Sequence, residues 1–254
     1  MSASPWPSAC GALCLARRRV TPTEVWLPIG AAAFYLYDSA ALLWQNELVY
    51  LRAGRRWLVE GGSELRLRGR RVFLPNPLLP QRPQFLVCWS KVESAAIQAA
   101  ADIPDDLLNA LRPIGALNVF HVLLLCALPV ALWTNGTGLL ALLIFALFYI
   151  ATFLALAIVW RRRAPLGLTR RKFWLLTLDV LACAPFAVNM TRKLAAGHAF
   201  GGEPLRFAAR HFDDTGLARV RGLVEARLRE EYAAPEFAGR GQQVLTAVLP
   251  RLSR

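Results

Sequence analysis

Apolar residues gather into four blocks along this chain, separated by stretches with a different rhythm. The blocks are 26–44 ("WLPIGAAAFYLYDSAALLW"), 117–133 ("LNVFHVLLLCALPVALW"), 138–160 ("GLLALLIFALFYIATFLALAIVW") and 173–190 ("FWLLTLDVLACAPFAVNM"). As a helix rising about 1.5 Å per residue, the first covers roughly 27 Å, near the bilayer's hydrocarbon thickness of about 30 Å. Trp26 and Trp44 at its ends suit an aromatic belt. Pro28 and Gly30 fall in its first turns, where they cost little. The third block carries no charge. The fourth is shorter and holds Asp179 and Pro185. The pattern predicts a mainly α membrane protein: a four-helix transmembrane bundle, with "TNGT" as a tight hairpin between the second and third spans.

Residues 47–116 read as a small β-rich polar domain inserted between spans one and two. Glu64-Leu65-Arg66-Leu67-Arg68 alternates with period two, as a half-buried strand should. "EGGS" before it and "PNPLLPQRP" after the next run are turn chemistry. This predicts a meander of about three or four strands, which needs a backing layer; "VESAAIQAAA" is a candidate helix for it. "DIPDDLLNALRP" predicts a short helix capped by Asp102, with Asp105 and Asp106 in its first turn and Pro113 at its end.

Residues 191–254 form a helical tail. In "DDTGLARVRGLVEARLREEY", Leu217, Val220, Val224 and Leu228 make an apolar stripe that Leu223 widens. Arg221–Glu225, Glu225–Arg229 and Arg227–Glu231 are i,i+4 pairs on the polar face. The stripe fits packing on the protein's own body, on lipid or on a partner helix. A second tail helix is expected over 241–249. Residues 1–22 read as a flexible leader, since Arg17, Arg18 and Arg19 follow the short apolar run instead of preceding it as in a secretory signal.

Composition strengthens the membrane reading. Of 254 residues, 56% are hydrophobic, and the mean hydropathy is +0.37. Soluble proteins average about 45–50% apolar, and the excess here sits in the four blocks. Lysine appears only at Lys91, Lys172 and Lys193. Arginine in its place is the mark of a GC-rich coding sequence, so the expected location is a bacterial inner membrane, crossed several times.

Charge sets the orientation. The loop 161–172 holds six basic residues and no acid, Arg161, Arg162, Arg163, Arg170, Arg171 and Lys172, and short basic loops stay in the cytoplasm. Four spans then place 47–116 in the cytoplasm and both termini outside, although Arg17–Arg19, Arg192 and Lys193 pull the other way. The expected partners are the bilayer, anionic headgroups through the six basic residues, and a protein partner or second copy. The net charge of +13 is spread over the regions, with +3 on 47–116, +6 on 161–172 and +4 on 191–254, so no basic block suggests nucleic acid. Of the five cysteines, Cys10 and Cys14 are close, but no second half-site completes a zinc spacing. "NGT" at 135–137 and "NMT" at 189–191 match the glycosylation pattern, which means nothing in a bacterium.

The candidate chemistry is a carboxylate where hydrocarbon is expected. Asp38 lies roughly 9 Å before Trp44 along a helix, Asp179 roughly 7–8 Å after Trp174, and His121 roughly 6 Å after Leu117. Spans one, two and four would bring these ends to one side, so Asp38, His121 and Asp179 form a candidate polar cluster at one depth. Such a cluster has the make-up of a proton relay or acid–base site. The alternative is structural: pairing with Arg52 or Arg161–Arg163, or interhelical hydrogen bonding by His121. Tyr37-Asp38 resembles one motif of intramembrane aspartyl proteases, but Asp179, in "TLDVL", lacks the flanking glycine of the second. No phosphate-binding loop, zinc spacing or serine elbow occurs. "RHFDD" at 210–214 reads as helix capping. No cofactor or metal is expected. The expected function is a non-enzymatic scaffold or assembly partner; the alternative is proton-coupled transport or intramembrane proteolysis at the cluster.

Overall fold

The computed structural model describes residues 22–88, 103–135, 138–198 and 204–232. The leader up to residue 21, the candidate helix at 92–101, Asp102, Gly136 and Thr137 of the "TNGT" turn and the helix expected at 241–249 lie outside the described residues.

Helix α1 spans Pro22–Ser39 and stops inside the first apolar block. The Ser39 hydroxyl turns back to the Tyr35 carbonyl at 2.8 Å, a local bond that competes with helix continuation. Beyond it, Ala41–Leu43 forms strand β1 instead of a last helical turn. A short apolar run suits either state. Here it is strand because it pairs antiparallel with β5, Leu43 opposite Arg71.

The polar domain holds two three-stranded antiparallel sheets in place of the single expected meander. With β2 Glu47–Ala53, β3 Arg56–Glu60, β4 Arg66–Leu67, β5 Arg70–Phe73 and β6 Gln84–Cys88, the strand orders are β1-β5-β4 and β3-β2-β6. Strand β2 is buried on both faces. Leu48 and Tyr50 enter the main core, while Val49 meets Leu43 and Phe73 in a smaller one. The expected half-buried strand at 64–68 differs most. Only Arg66–Leu67 is strand, and both Leu65 and Leu67 are exposed. Positive φ at Arg68 and Gly69 closes it into a tight hairpin with β5.

Helix α2 runs unbroken over Asp105–Asn135, through both Pro113 and Pro129. Its first turns join the main core through Leu107, Leu111 and Ile114. Pro113 therefore does not end a short helix as expected. Its missing N–H frees the carbonyl four residues back, and Arg162 Nη1 donates to that Asn109 carbonyl at 2.8 Å. Helix α3, Leu139–Arg161, packs along α2 as an antiparallel hairpin. These are the two helices, among the described residues, long and apolar enough to cross a membrane. Only about a third of their residues are buried; Trp133 is 70% and Leu139 82% exposed.

The fourth block is not one helix. Helix α4 covers Arg170–Ala182, capped by the Thr169 hydroxyl. Extended backbone at Cys183 ends it, and a 3-10 turn over Ala184–Asn189 leads into α5, Met190–Ala196. Pro185 supplies the reason, since its ring would clash with the preceding helical turn.

In the tail, α6 covers Pro204–His211 and α7 Asp214–Tyr232. Asp213 caps α7, accepting from the Gly216 N–H at 2.8 Å. Val220 and Val224 are buried in the main core, with Leu217, Leu223 and Leu228 packed against it, so the stripe rests on the protein's own body. Around it, Arg219 pairs with Glu60 and Glu230 with Arg66 and Arg71. Arg227 is buried, not on a polar face, and donates to the Gly61 carbonyl. Burial, with Arg71 and Arg66 nearby, lowers its pKa to about 10, still cationic at neutral pH. Glu225 does pair with Arg229. The Tyr50 hydroxyl donates to the Pro204 carbonyl at 2.8 Å, and its ring stacks on Phe207. Sheets and tail thus form one body.

Candidate functional site

The densest buried polar chemistry lies where α1 ends, the chain resumes after the Pro185 break, and the proline-rich loop 74–83 passes between. That loop contains Pro75, Pro77, Pro80 and Pro83. Prolines lack N–H donors, so the loop has carbonyls to satisfy and few donors of its own. The Leu79 N–H serves the Asn76 carbonyl at 3.2 Å and the Arg82 N–H that of Leu79 at 3.3 Å; Arg192 and Tyr35 add donors from outside the loop. Arg192 Nη2 donates to the carbonyls of Asn76 at 2.6 Å and Leu79 at 3.1 Å, and the Tyr35 hydroxyl to that of Pro77. Arg192 Nη1 reaches Ser39 Oγ at 3.2 Å and Asn189 Oδ1 at 3.0 Å. The guanidinium, 4% exposed, thus sits at the C-terminal end of α1, where the helix dipole favours a cation. Gly115 lets the loop approach α2: a Cβ there would lie 3.2 Å from Gln81 Cβ and 3.3 Å from its carbonyl oxygen.

Asp38 belongs to this junction. Its Oδ1 pairs with Lys193 Nζ at 2.8 Å, and its Oδ2 accepts from Asn189 Nδ2 at 3.1 Å. The same amide donates to the Tyr35 carbonyl at 3.2 Å. The carboxylate in the first apolar block thus has its counter-ion 155 positions later, neither Arg52 nor any of Arg161–Arg163. Lys193 Nζ also lies 4.4 Å from the Phe186 ring centroid.

The other two candidates stand apart from it. His121 is fully buried between α2 and α3, with Nε2 3.0 Å from Thr152 Oγ1 and its ring against Phe148. Thr152 Oγ1 also donates to the Phe148 carbonyl at 2.8 Å, so the hydroxyl links the imidazole to the α3 backbone, its role toward Nε2 following the imidazole tautomer. Asp179 is exposed on α4. Among the described residues, no hydrogen bond or ion pair links Asp38, His121 and Asp179 to one another. Nor does any group of His, Cys, Asp and Glu there suit a metal ion.

The sequence assigns no functional role to Asn118, Asn189, Thr191 or Arg192, all of which the junction uses. Asn189 and Thr191, the polar ends of "NMT", are both fully buried, which suits hydrogen bonding and not glycan attachment. Asn118 Nδ2 donates to Thr191 Oγ1 at 2.9 Å, tying α5 to α2. Arg192 registered in the sequence only as a charge against the assigned orientation. The available signal was the proline density of 74–83, which demands donors from elsewhere. Comparison with protein-family models, curated proteins and solved structures finds no match for this chain, so its geometry is the basis for assigning a function.

Proposed function

We propose that this is an integral membrane protein of a bacterial inner membrane that acts as a non-enzymatic scaffold, its helices anchoring the sheet-and-tail body at the membrane surface. The observation that carries the scaffold reading is the way the acid–base candidates are used. Asp38 is held in an ion pair with Lys193, and His121 in a buried bond to Thr152. Each contact joins elements distant in the chain, which is structural work. The membrane part is supported by α2 and α3, whose apolar side chains face outward where a soluble core helix would bury them. Helix α1, with Trp26, Ile29, Phe34 and Tyr37 exposed, continues that apolar surface.

Two measurements test the reading. An alkaline phosphatase fused at Thr137 should be active and one fused after Lys172 inactive; the reverse pattern refutes the orientation. The purified protein, reconstituted into vesicles, should not dissipate an imposed pH gradient. A proton leak that Asp38→Asn abolishes, with the fold retained, would establish the proton-coupled activity instead.

A further inference from the structure

We propose that the fourth apolar block does not cross the membrane but lies along its surface on the side of the sheets, with α4 an in-plane helix seated on anionic lipid headgroups. The proposal rests on the membrane reading above.

Connectivity is the first argument. The block begins at the domain end of α3, where the Trp160 ring meets Phe173 at 4.9 Å and Trp174 at 6.5 Å. It finishes at the domain end of α1, where Asn189 and Arg192 bond to Ser39 and Arg192 to the loop after β5. The chain then continues into α6 and α7, which pack on the sheets. Three crossings between 116 and 191 would put tail and sheets on opposite sides of the bilayer; their shared core requires an even number. Helices α2 and α3 supply two.

Length agrees. Helix α4 has 13 residues, about 20 Å, against a hydrocarbon thickness of about 30 Å. It shares little surface with α3, unlike the long seam of α2 and α3.

The chemistry of α4 names the partner. Phe173, Thr177 and Val180 face inward, while Trp174, Leu175 and Leu178 are exposed. Arg170, Arg171 and Lys172 stand exposed at its start. Exposed apolar side chains beside a cationic end fit the headgroup boundary of an anionic leaflet. Asp179, also exposed on α4, would be costly in hydrocarbon and is hydrated at the surface. This placement also resolves a conflict in charge: the regions carrying +3, +6 and +4 now share one side, Arg192 and Lys193 included.

The test uses the full-length protein. A phosphatase fused after His198 should be inactive, and an active one overturns the proposal even when the Thr137 and Lys172 fusions behave as expected. For depth, Leu178→Cys in a background with the native cysteines changed to serine is labelled with an environment-sensitive fluorophore and reconstituted. Lipids brominated near the headgroup should quench it more than lipids brominated near the chain ends. A label at Ile150→Cys, exposed at the middle of α3, should show the opposite order; a shallow result there overturns the membrane reading itself, not only the placement of α4. The Leu178 label should sit deeper in phosphatidylcholine–phosphatidylglycerol vesicles than in phosphatidylcholine alone. Replacing Arg170, Arg171 and Lys172 with Gln should erase that difference. Deep quenching at Leu178 overturns the in-plane helix, and indifference to phosphatidylglycerol overturns the anionic partner.

Discussion

Replacing Arg192 with Leu tests whether one buried guanidinium holds the junction together. The side chain serves four acceptors: Ser39 Oγ, Asn189 Oδ1 and the carbonyls of Asn76 and Leu79. Leucine keeps much of the bulk but donates nothing. Asn189 Oδ1 keeps accepting from Ser39 Oγ at 3.1 Å, and the two loop carbonyls keep the N–H groups of Leu79 and Arg82 but lose their charged donor. A hydrogen bond from a charged donor contributes about 1.5–3 kcal/mol, so losing two gives about 3–6 kcal/mol. Near 250 residues each kcal/mol moves Tm by about 2–4 °C, so a fall of roughly 10 °C is expected. Arg192→Lys keeps the charge but lacks the planar fork that reaches both pairs of acceptors, and should fall between. The assay is thermal unfolding of the purified protein in detergent, followed by tryptophan fluorescence, with limited proteolysis reporting on the loop at 74–83. The mutant should gain cleavage within that loop below Tm. If Arg192→Leu matches the parent in Tm and loop protection, the clamp contributes nothing and the reasoning fails.

Gly115→Val should destabilise by about 1–3 kcal/mol through overpacking against Gln81; an unchanged Tm would show that the loop yields freely. Arg162→Leu should cost about 0.5–1.5 kcal/mol by removing the donor to the Asn109 carbonyl. That cost should shrink in a Pro113→Ala background, where the helix supplies its own N–H; strict additivity in the double-mutant cycle would refute the compensation. The Cys88 thiol is pushed up by partial burial and then by Glu47. Iodoacetamide at mildly alkaline pH should therefore label it more slowly than a free thiol, and Glu47→Gln should speed the labelling; no change would remove Glu47 from the cause.

Sequence alone determined whatever rests on near neighbours. The unbroken apolar run at 138–160 becomes α3. Four stripe positions and an aspartate before them specify α7 and its cap, because a helix face is written within four residues. Tertiary structure decided where two local outcomes were close. Ala41–Leu43 is strand because β5 offers backbone partners, although its hydropathy suits a helix equally. Of the prolines after apolar runs, Pro113 stays in its helix where Arg162 serves the freed carbonyl, while α4 ends just before Pro185. Tertiary structure likewise separated the candidate cluster: equal depth along three helices constrains height but not azimuth, so His121 turned to Thr152 and Asp38 to Lys193. The junction itself was illegible in sequence because three of the four groups that Arg192 serves lie 113 to 153 positions away. No local periodicity encodes such a bond; it exists only once the fold has carried the loop's carbonyls against the ends of α1 and α5.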